Sequence, residues 1–178
     1  MNASSWMAVW RYAAEVHDGQ CWPGSGLPYL THLGQVALLL LQAHQQQAVP
    51  DVDLAVCCAI LHDSIEDRQV THAELAGRFG LAVADGVLAL SKTPELDKAA
   101  AMADSLARIR QQPAAVWCVK LADRIANLQP PPAHWSREKC LAYQAEARQI
   151  LAALGEAHPL LAEWLGRAIS EYRLGAEG

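Results

Sequence analysis

The chain has 178 residues, of which 52% are hydrophobic, and a formal net charge of -5. This length and composition suit one compact domain with a substantial core, and they exclude a chain that is disordered over most of its length. The acidic balance argues against a nucleic-acid-binding protein, which usually carries a basic face. Because no run of about 18 apolar residues occurs, the sequence predicts no membrane span.

The N-terminal segment and the cysteines indicate a cytoplasmic protein. Residues 1–19 lack the basic start and the continuous apolar stretch of a secretory signal peptide. The five cysteines are an odd number, and the neighbours Cys57 and Cys58 lie in an apolar run, where they are typical of small core residues. We therefore expect a reducing compartment and no disulfide framework. The sequence leaves the oligomeric state open.

Helical periodicity dominates the chain from its beginning. Apolar residues between Trp6 and His17 fall on one face at a spacing of about 3.6 residues. Glycines and prolines then interrupt the pattern in DGQCWPGSGLPYL, which predicts an ordered loop. The next two helices are expected at about 31–46 and from about 51 to 62 or just beyond.

Start and stop signals are clearest in the middle of the chain. In VTHAELAGRFG, Thr71 and Glu74 form a T-x-x-E capping box, and Gly80 suits the position after a helix end. Further helices fit 81–91, 97–111, 114–128, 136–154 and 159–173. The three consecutive prolines of LQPPPAHWS give the strongest break, since proline cannot continue a helix. With no strand pattern of useful length, the sequence predicts an all-α single domain over 1–178, a bundle of about eight helices.

The segment LHDSIED places ionisable residues at the end of an apolar helix. His62 and Asp63 do not share a helix face, but both can reach one metal ion near the helix end. His32 begins the second helix, and Asp123 lies within an apolar helix, where a carboxylate needs a partner or exposure. Two imidazoles and two carboxylates would suit a divalent ion such as Mn²⁺, Fe²⁺ or Zn²⁺.

Each of these residues also has an ordinary explanation. A lone histidine on a helix is usually a core or surface residue. Asp123 next to Arg124 can be a surface ion pair that adds little stability, and Glu66 and Asp67 can simply solvate a helix end. The ordered combination, together with its flanking residues, is what favours a metal site.

Three longer segments carry a resemblance to a known family. HDGQCWPGSGLPYLTH is similar to H-x-G-Q-x-R-K-x-G-x-P-Y-x-x-H-P, ILHDSIED to L-L-H-D-x-x-E-D, and VKLADRIANL to V-K-L-A-D-R/K-x-x-N-L. These patterns belong to the HD-domain metal-dependent phosphohydrolases. Among them, the chain most resembles the alarmone hydrolases: the hydrolase domain of RelA/SpoT proteins and the small Mesh1-like enzymes. The match covers about residues 10–155.

The resemblance implies a fold of the HD type and a hydrolytic site. The metal ligands would be His32, His62, Asp63 and Asp123, with Mn²⁺ the ion that the family implies. The catalytic carboxylates would be Glu66 and Asp67, which lie one helical turn beyond His62 and Asp63, where they can position a water molecule or manage its proton. The implied reaction removes the 3′-pyrophosphate of a guanosine alarmone, (p)ppGpp, or of a close relative such as (p)ppApp.

The resemblance also suggests residues that bind the substrate. Asn127 matches the position that contacts the nucleotide sugar, and Tyr143 matches an aromatic residue near the nucleotide pocket. Lys98 and Arg124 could balance substrate phosphates. Alternatively, Lys98 and Arg124 could be surface residues that favour solubility. Tyr143 is explained equally well as a residue that packs in the core.

One departure from the family pattern bears on the substrate. The family's Arg-Lys pair, whose arginine packs against the guanine base, is Trp22-Pro23 in this chain. Trp22 can stack on a base through its π face, but it lacks the charge and the planar donors of arginine. An adenine alarmone, or another nucleotide with a 3′-phosphate group, is therefore open.

Two alternatives accompany this reading. The first is an HD-family phosphohydrolase that acts on other nucleotides, which Trp22-Pro23 would favour. The second is a nucleotide-binding regulatory module that keeps the metal without turnover. The second predicts the loss of a ligand or a catalytic carboxylate, and the sequence retains all of them.

Overall fold

The computed structural model describes residues 3–131 and 134–172, and in this part of the chain it confirms the all-α prediction. The only β-type pairing among these residues is an isolated bridge between Cys21 and Pro28. The helices are α1 (Ala3–Val16), α2 (Leu30–Gln46), α3 (Val52–Leu61), α4 (Ser64–Arg68), α5 (His72–Phe79), α6 (Leu81–Leu90), α7 (Lys98–Ile109), α8 (Ala114–Asn127), α9 (Arg137–Leu154) and α10 (Pro159–Glu171), with a 3₁₀ turn at Gly155–Ala157.

Helix α3 is the centre of the bundle. Every residue from Leu54 to Leu61 is buried, as expected for a helix that is apolar on all sides. Helices α1, α2, α6 and α8 pack around it. The predicted core position of Cys57 and Cys58 is confirmed, since both are fully buried. None of the five cysteines, which all lie within the described residues, forms a disulfide bond.

Helix α6 approaches this centre unusually closely at Gly86. A Cβ atom at Gly86 would lie 2.7 Å from Cys58 Sγ and 3.0 Å from a methyl carbon of Val116. A larger residue would therefore force α6 away from α3 and α8, so glycine sets the spacing of these three helices.

The predicted boundaries of α5 are confirmed, but the capping box forms only in part. Thr71 Oγ1 accepts a hydrogen bond from Glu74 N, and Gly80 ends the helix with a φ of +92°. The carboxylate of Glu74 instead accepts a hydrogen bond from Tyr12 Oη, 2.9 Å away. A tertiary contact thus takes the side chain that the sequence pattern assigned to the cap.

The loop between α1 and α2 is ordered, as predicted. Trp22 N donates to Leu27 O over 2.8 Å, and Tyr29 N donates to Gln20 O over 2.9 Å. These bonds fold the loop back on itself and hold Trp22 in a defined position. None of the helices in the described residues is both long and apolar enough to cross a membrane.

Candidate metal centre and active site

Three separate parts of the chain bring four side chains together beside the core. His32 comes from the first turn of α2, His62 and Asp63 from the junction of α3 and α4, and Asp123 from α8. His32, His62 and Asp123 are buried, with 1%, 4% and 6% of their surface exposed. Asp63 is only partly buried, so it lies on the side of the cluster that faces the cavity described below.

The junction of α3 and α4 explains how adjacent residues reach one centre. His62 keeps helical backbone angles, but Asp63 leaves them, with φ −99° and ψ 0°. The sequence predicted one helix ending near His62 and did not separate α4 from it. Ser64 Oγ donates to Leu61 O over 2.7 Å and stabilises the break. The change in backbone direction lets both side chains point to the same place.

The distances among three of the four side chains are those of residues that could share one cation. Nε2 of His62 lies 3.3 Å from His32 Nε2, 2.9 Å from Asp63 Oδ2 and 3.6 Å from Asp123 Oδ1. Nε2 of His32 lies 3.4 Å from Asp123 Oδ1 and 3.8 Å from Asp63 Oδ2. Ligand atoms that share one ion at about 2.1 Å are separated by about 3–3.6 Å. His32, His62 and Asp123 form one group whose ligand atoms all lie within 4.8 Å of one another, and Asp63 extends this group through its contacts with the two histidines.

Neighbouring groups orient these ligand atoms. Nδ1 of His62 lies 2.8 Å from the carbonyl oxygen of Ala59. A carbonyl only accepts, so Nδ1 carries a proton, and Nε2 is the ring nitrogen that would bind a cation in place of its own proton. Asp123 accepts hydrogen bonds from Asn127 Nδ2 at 2.6 Å and from Lys120 Nζ at 3.1 Å.

Charge within the cluster also favours a cation. Although burial opposes ionisation of Asp123, the charge of Lys120 and hydrogen bonds from the two histidines hold its pKa well below the usual value. Although burial opposes protonation of His62, the charges of Asp63 and Asp123 raise its pKa well above the usual value. Two ionised carboxylates that face two ring nitrogens form a charge distribution that a divalent cation neutralises.

Both predicted catalytic carboxylates lie beside the cluster, on α4. Glu66 accepts hydrogen bonds from the backbone N–H of Lys92 at 2.9 Å and from Lys92 Nζ at 3.2 Å. Asp67 Oδ2 accepts a hydrogen bond from Gln20 Nε2 at 2.8 Å. Burial, followed by the charge of Asp63, raises the pKa of Asp67 above its usual value.

A cavity of about 340 Å³ joins these carboxylates to the predicted ligands Asp63 and Asp123. Five basic side chains line it, namely Lys92, Lys98, Lys120, Arg124 and Lys139. Five carboxylates line it as well, so a bound divalent cation would give the cavity the net positive charge that suits a ligand with several negative charges.

The two predicted phosphate-binding cations have different surroundings. Lys98 is mostly exposed, and its Nζ lies 2.6 Å from Glu146 Oε1. Arg124 is 5% exposed, and its guanidinium stacks on the ring of Tyr143 at 4.3 Å. One guanidinium nitrogen lies 3.5 Å from Glu146 Oε2. Arg124 is thus placed to hold Tyr143 and Glu146 at the wall of the cavity.

A second, larger cavity of about 710 Å³ opens from the first. Trp22, Trp135 and Tyr143 line it, with Asn127 on the wall that the two cavities share. The ring of Trp22 lies 5.5 Å from that of His32, so the aromatic wall begins beside the cluster. The structure therefore places the predicted substrate residues Trp22, Asn127 and Tyr143 along one continuous cleft.

Sequence reasoning missed several residues that line this cleft. Two had a signal in the motifs: Tyr29, whose hydroxyl donates to Asp63 Oδ2, and Lys120, three residues before Asp123. Trp135 also had a signal, since HWSREKCLAYQAEARQIL is similar to the family's W-S…Y segment. Lys92 had none, because only the packing of the helices brings it to the site.

Comparison with known proteins identifies relatives along most of the chain. The HD domain family matches residues 9–160. The Danio rerio guanosine-3′,5′-bis(diphosphate) 3′-pyrophosphohydrolase MESH1 is 30% identical over 179 residues, which cover 96% of this chain and 97% of that protein. The Myxococcus xanthus GTP pyrophosphokinase is 36% identical over 152 residues, or 80% of this chain and 19% of that protein. The chain thus spans about a fifth of the length of this bacterial relative.

Solved structures share the fold. One, described with the words "A metazoan ortholog of SpoT hydrolyzes ppGpp and plays a role in starvation responses", superposes with a TM-score of 0.84 at 22% identity over 98% of both chains. Another, from Listeria monocytogenes EGD-e, has a TM-score of 0.62 at 22% identity, covering 82% of this chain and 98% of that one.

Proposed function

The chain belongs to the HD domain family, and from that premise we propose that it is a metal-dependent hydrolase that removes the 3′-pyrophosphate of (p)ppGpp or a close relative such as (p)ppApp. The observation that carries the proposal is the cluster of His32, His62, Asp63 and Asp123, with Glu66 and Asp67 in the same cavity. The substrate class comes from the relatives, including the zebrafish protein that matches over 97% of its length.

The donor set is suited to a divalent ion. Two imidazole nitrogens and two carboxylate oxygens fit Mn²⁺, which we propose as the resident metal, and they would also accept Fe²⁺ or Zn²⁺. When bound, such an ion lowers the pKa of water toward neutrality and offsets negative charge on a phosphoryl group.

The carboxylates of α4 would carry the proton chemistry. In the proposed hydrolysis, a water oxygen forms a bond to the phosphorus attached to the ribose 3′-oxygen, and the bond from that phosphorus to the 3′-oxygen breaks. Pyrophosphate leaves, and the 3′-oxygen gains a proton. Asp67 would accept the proton of the water, and Glu66, fixed by Lys92, would orient it.

The rest of the cleft would hold the nucleotide. Lys92, Lys98 and Lys139 line the smaller cavity and would offset the charge of the substrate phosphates. Asn127 would contact the sugar, and Trp22 in the larger cavity would stack on the base. We propose a cytoplasmic location, with which cysteines that form no disulfide agree.

The test is turnover of a defined set of nucleotides. Purified protein with Mn²⁺ would be incubated with ppGpp, ppApp, GDP and ADP, and pyrophosphate release would be measured. We expect release from at least one of the two 3′-pyrophosphorylated nucleotides and none from GDP or ADP. Pyrophosphate release from ppApp alone would show that the substrate carries adenine and not guanine. No release from either nucleotide would refute the proposal.

Trp22 favours a second candidate function. Because this residue supplies a sequence-tolerant π face in place of a charged donor, the site would suit an HD phosphohydrolase with broader nucleotide selectivity. Comparable kcat/KM values for ppGpp, ppApp and 3′-phosphorylated nucleotides without a pyrophosphate would support this candidate.

A further inference from the structure

The end of α1 and the loop after it reach the carboxylate of Asp67 through two side chains. Gln20 Nε2 donates a hydrogen bond to Asp67 Oδ2 over 2.8 Å. On the other side of the same amide, Gln20 Oε1 lies 2.8 Å from Nδ1 of His17. His17 is 3% exposed, so the chain of contacts begins in the interior and ends in the cleft.

The chemistry of these groups fixes the direction of each hydrogen bond. An ionised carboxylate only accepts, so the amide nitrogen of Gln20 must face Asp67 and the amide oxygen must face His17. Nδ1 of His17 must then carry a proton. Its Nε2 is buried with no hydrogen-bond partner among the described residues, and a second proton there would be unsatisfied. Burial accordingly lowers the pKa of His17 and keeps the ring neutral.

His17 also contacts the predicted metal-ligand residues indirectly, through Tyr29. The two rings stack with centroids 5.1 Å apart and planes 19° apart. The hydroxyl of Tyr29 donates to Asp63 Oδ2. A single buried imidazole therefore lies behind both a predicted ligand and a predicted catalytic carboxylate.

A separate contact fixes α4 to the same segment. Arg68, the neighbour of Asp67, donates from Nε to Val16 O over 2.6 Å. The backbone of α4 is thus tied to the end of α1, and the hydrogen bond from Gln20 is left to set the orientation of the Asp67 side chain.

We propose that His17 and Gln20 are positioning residues that orient the Asp67 carboxylate toward the attacking water. This inference rests on the proposed function of the site. Loss of either hydrogen bond would let the carboxylate rotate, which lowers the rate of proton transfer without removing a contact to substrate or metal. Outer hydrogen-bond partners of this kind typically change activity by about 10–100-fold.

Two substitutions separate orientation from packing. Gln20→Met keeps the length of the side chain and removes both hydrogen bonds. His17→Phe keeps an aromatic ring against Tyr29 and removes only the Nδ1 donor. Gln149→Met, at an exposed position on α9, is the matched control. We expect kcat to fall by about 10–100-fold in the first two variants, with KM and Mn²⁺ affinity unchanged, and all three constants to be unchanged in the control.

Other outcomes would overturn the proposal. Wild-type kcat in Gln20→Met would show that the hydrogen bond to Asp67 has no role in turnover. A parallel loss of kcat, substrate affinity and Mn²⁺ affinity would show that the two residues only support the fold.

A second measurement tests the hydrogen bonds from His17 through Gln20 to Asp67 independently of turnover. In protein labelled with ¹⁵N at histidine and loaded with diamagnetic Zn²⁺, the nitrogen chemical shifts of His17 should show a protonated Nδ1 and an unprotonated Nε2. The opposite tautomer would contradict the chain. Wild-type protein that hydrolyses no nucleotide would refute the proposed function, while the tautomer would still decide whether His17 and Gln20 are arranged as inferred.

Discussion

The two ends of the cleft differ in how completely the protein defines them. At the end that holds the predicted metal ligands, three parts of the chain place each histidine nitrogen 2.9–3.8 Å from its partners in the cluster, and the carboxylates and His62 have further hydrogen-bond partners. At the other end, a cavity of about 710 Å³ is lined mainly by aromatic and proline side chains, with Trp22 on a loop. The first end can accept few kinds of bound ion, whereas the second can accept many different ring systems.

This difference separates the chemistry from the choice of substrate. A cation binds only where several donors meet within coordination distance, so one displaced residue removes the site. An aromatic wall binds any flat ring that stacks on it. Substitutions at the metal end should therefore change whether the protein reacts, and substitutions at the other end should change which nucleotide it prefers.

The largest effect is expected from Asp63→Ala. Loss of this carboxylate should lower both Mn²⁺ occupancy and kcat by at least about a hundredfold, because even outer partners of a metal site cost 10–100-fold. Elemental analysis and steady-state kinetics measure the two quantities. Circular dichroism should show retained helix, since Asp63 lies at the rim of the cleft. Asp85→Ala, which breaks the exposed His72–Asp85 pair, is the control, and wild-type turnover in Asp63→Ala would contradict the ligand assignment.

A smaller but specific effect is expected from Glu66→Gln and Asp67→Asn. Each should lower kcat by about 10²–10⁴-fold, the usual contribution of a positioned acid or base, and leave Mn²⁺ affinity nearly unchanged. Isothermal titration with Mn²⁺ and single-turnover kinetics distinguish these results. Glu163→Gln, at an exposed pair on α10, controls for charge. Metal loss that accompanies the fall in kcat would place these carboxylates in the ligand set.

At the opposite end, Trp22→Ala should act on binding. Loss of a stacking ring typically costs about 1–3 kcal/mol, or roughly 5–150-fold in KM, with kcat changed less. Trp22→Phe keeps a π face and should show a smaller rise. Initial rates over a range of substrate concentrations measure both constants. An unchanged KM in Trp22→Ala would reduce Trp22 to a packing residue of its loop.

The smallest effect concerns pH and His17. Burial lowers the pKa of His17 below its usual 6.5. At a pH between the lowered pKa of the folded protein and 6.5, the unfolded chain binds more protons at His17 than the folded protein does. The free energy of unfolding therefore falls as pH drops below about 6.5. His17→Phe removes this contribution and should show a shallower fall. Urea unfolding at several pH values between 8 and 5 would test it, and identical slopes in both proteins would contradict a buried neutral His17.

Local patterns predicted the helices well, and they failed where tertiary contacts compete. The ends of α5 follow from Thr71 and Gly80, since capping depends on neighbouring residues alone. Glu74 was assigned to the same cap, yet its carboxylate binds Tyr12, which is distant in sequence. The break at Asp63 was also missed, because its φ and ψ depend on contacts around the junction of α3 and α4.

The sequence alone determined the helical class and the order of His32, His62, Asp63 and Asp123, because periodicity and residue chemistry are local properties that survive without coordinates. Only the tertiary structure decided that these side chains lie within 4 Å of one another in the pairs measured. It also decided that Lys92 and Gln20 bind the two carboxylates of α4. Such contacts join residues far apart in the chain, and their geometry depends on how the helices pack around α3.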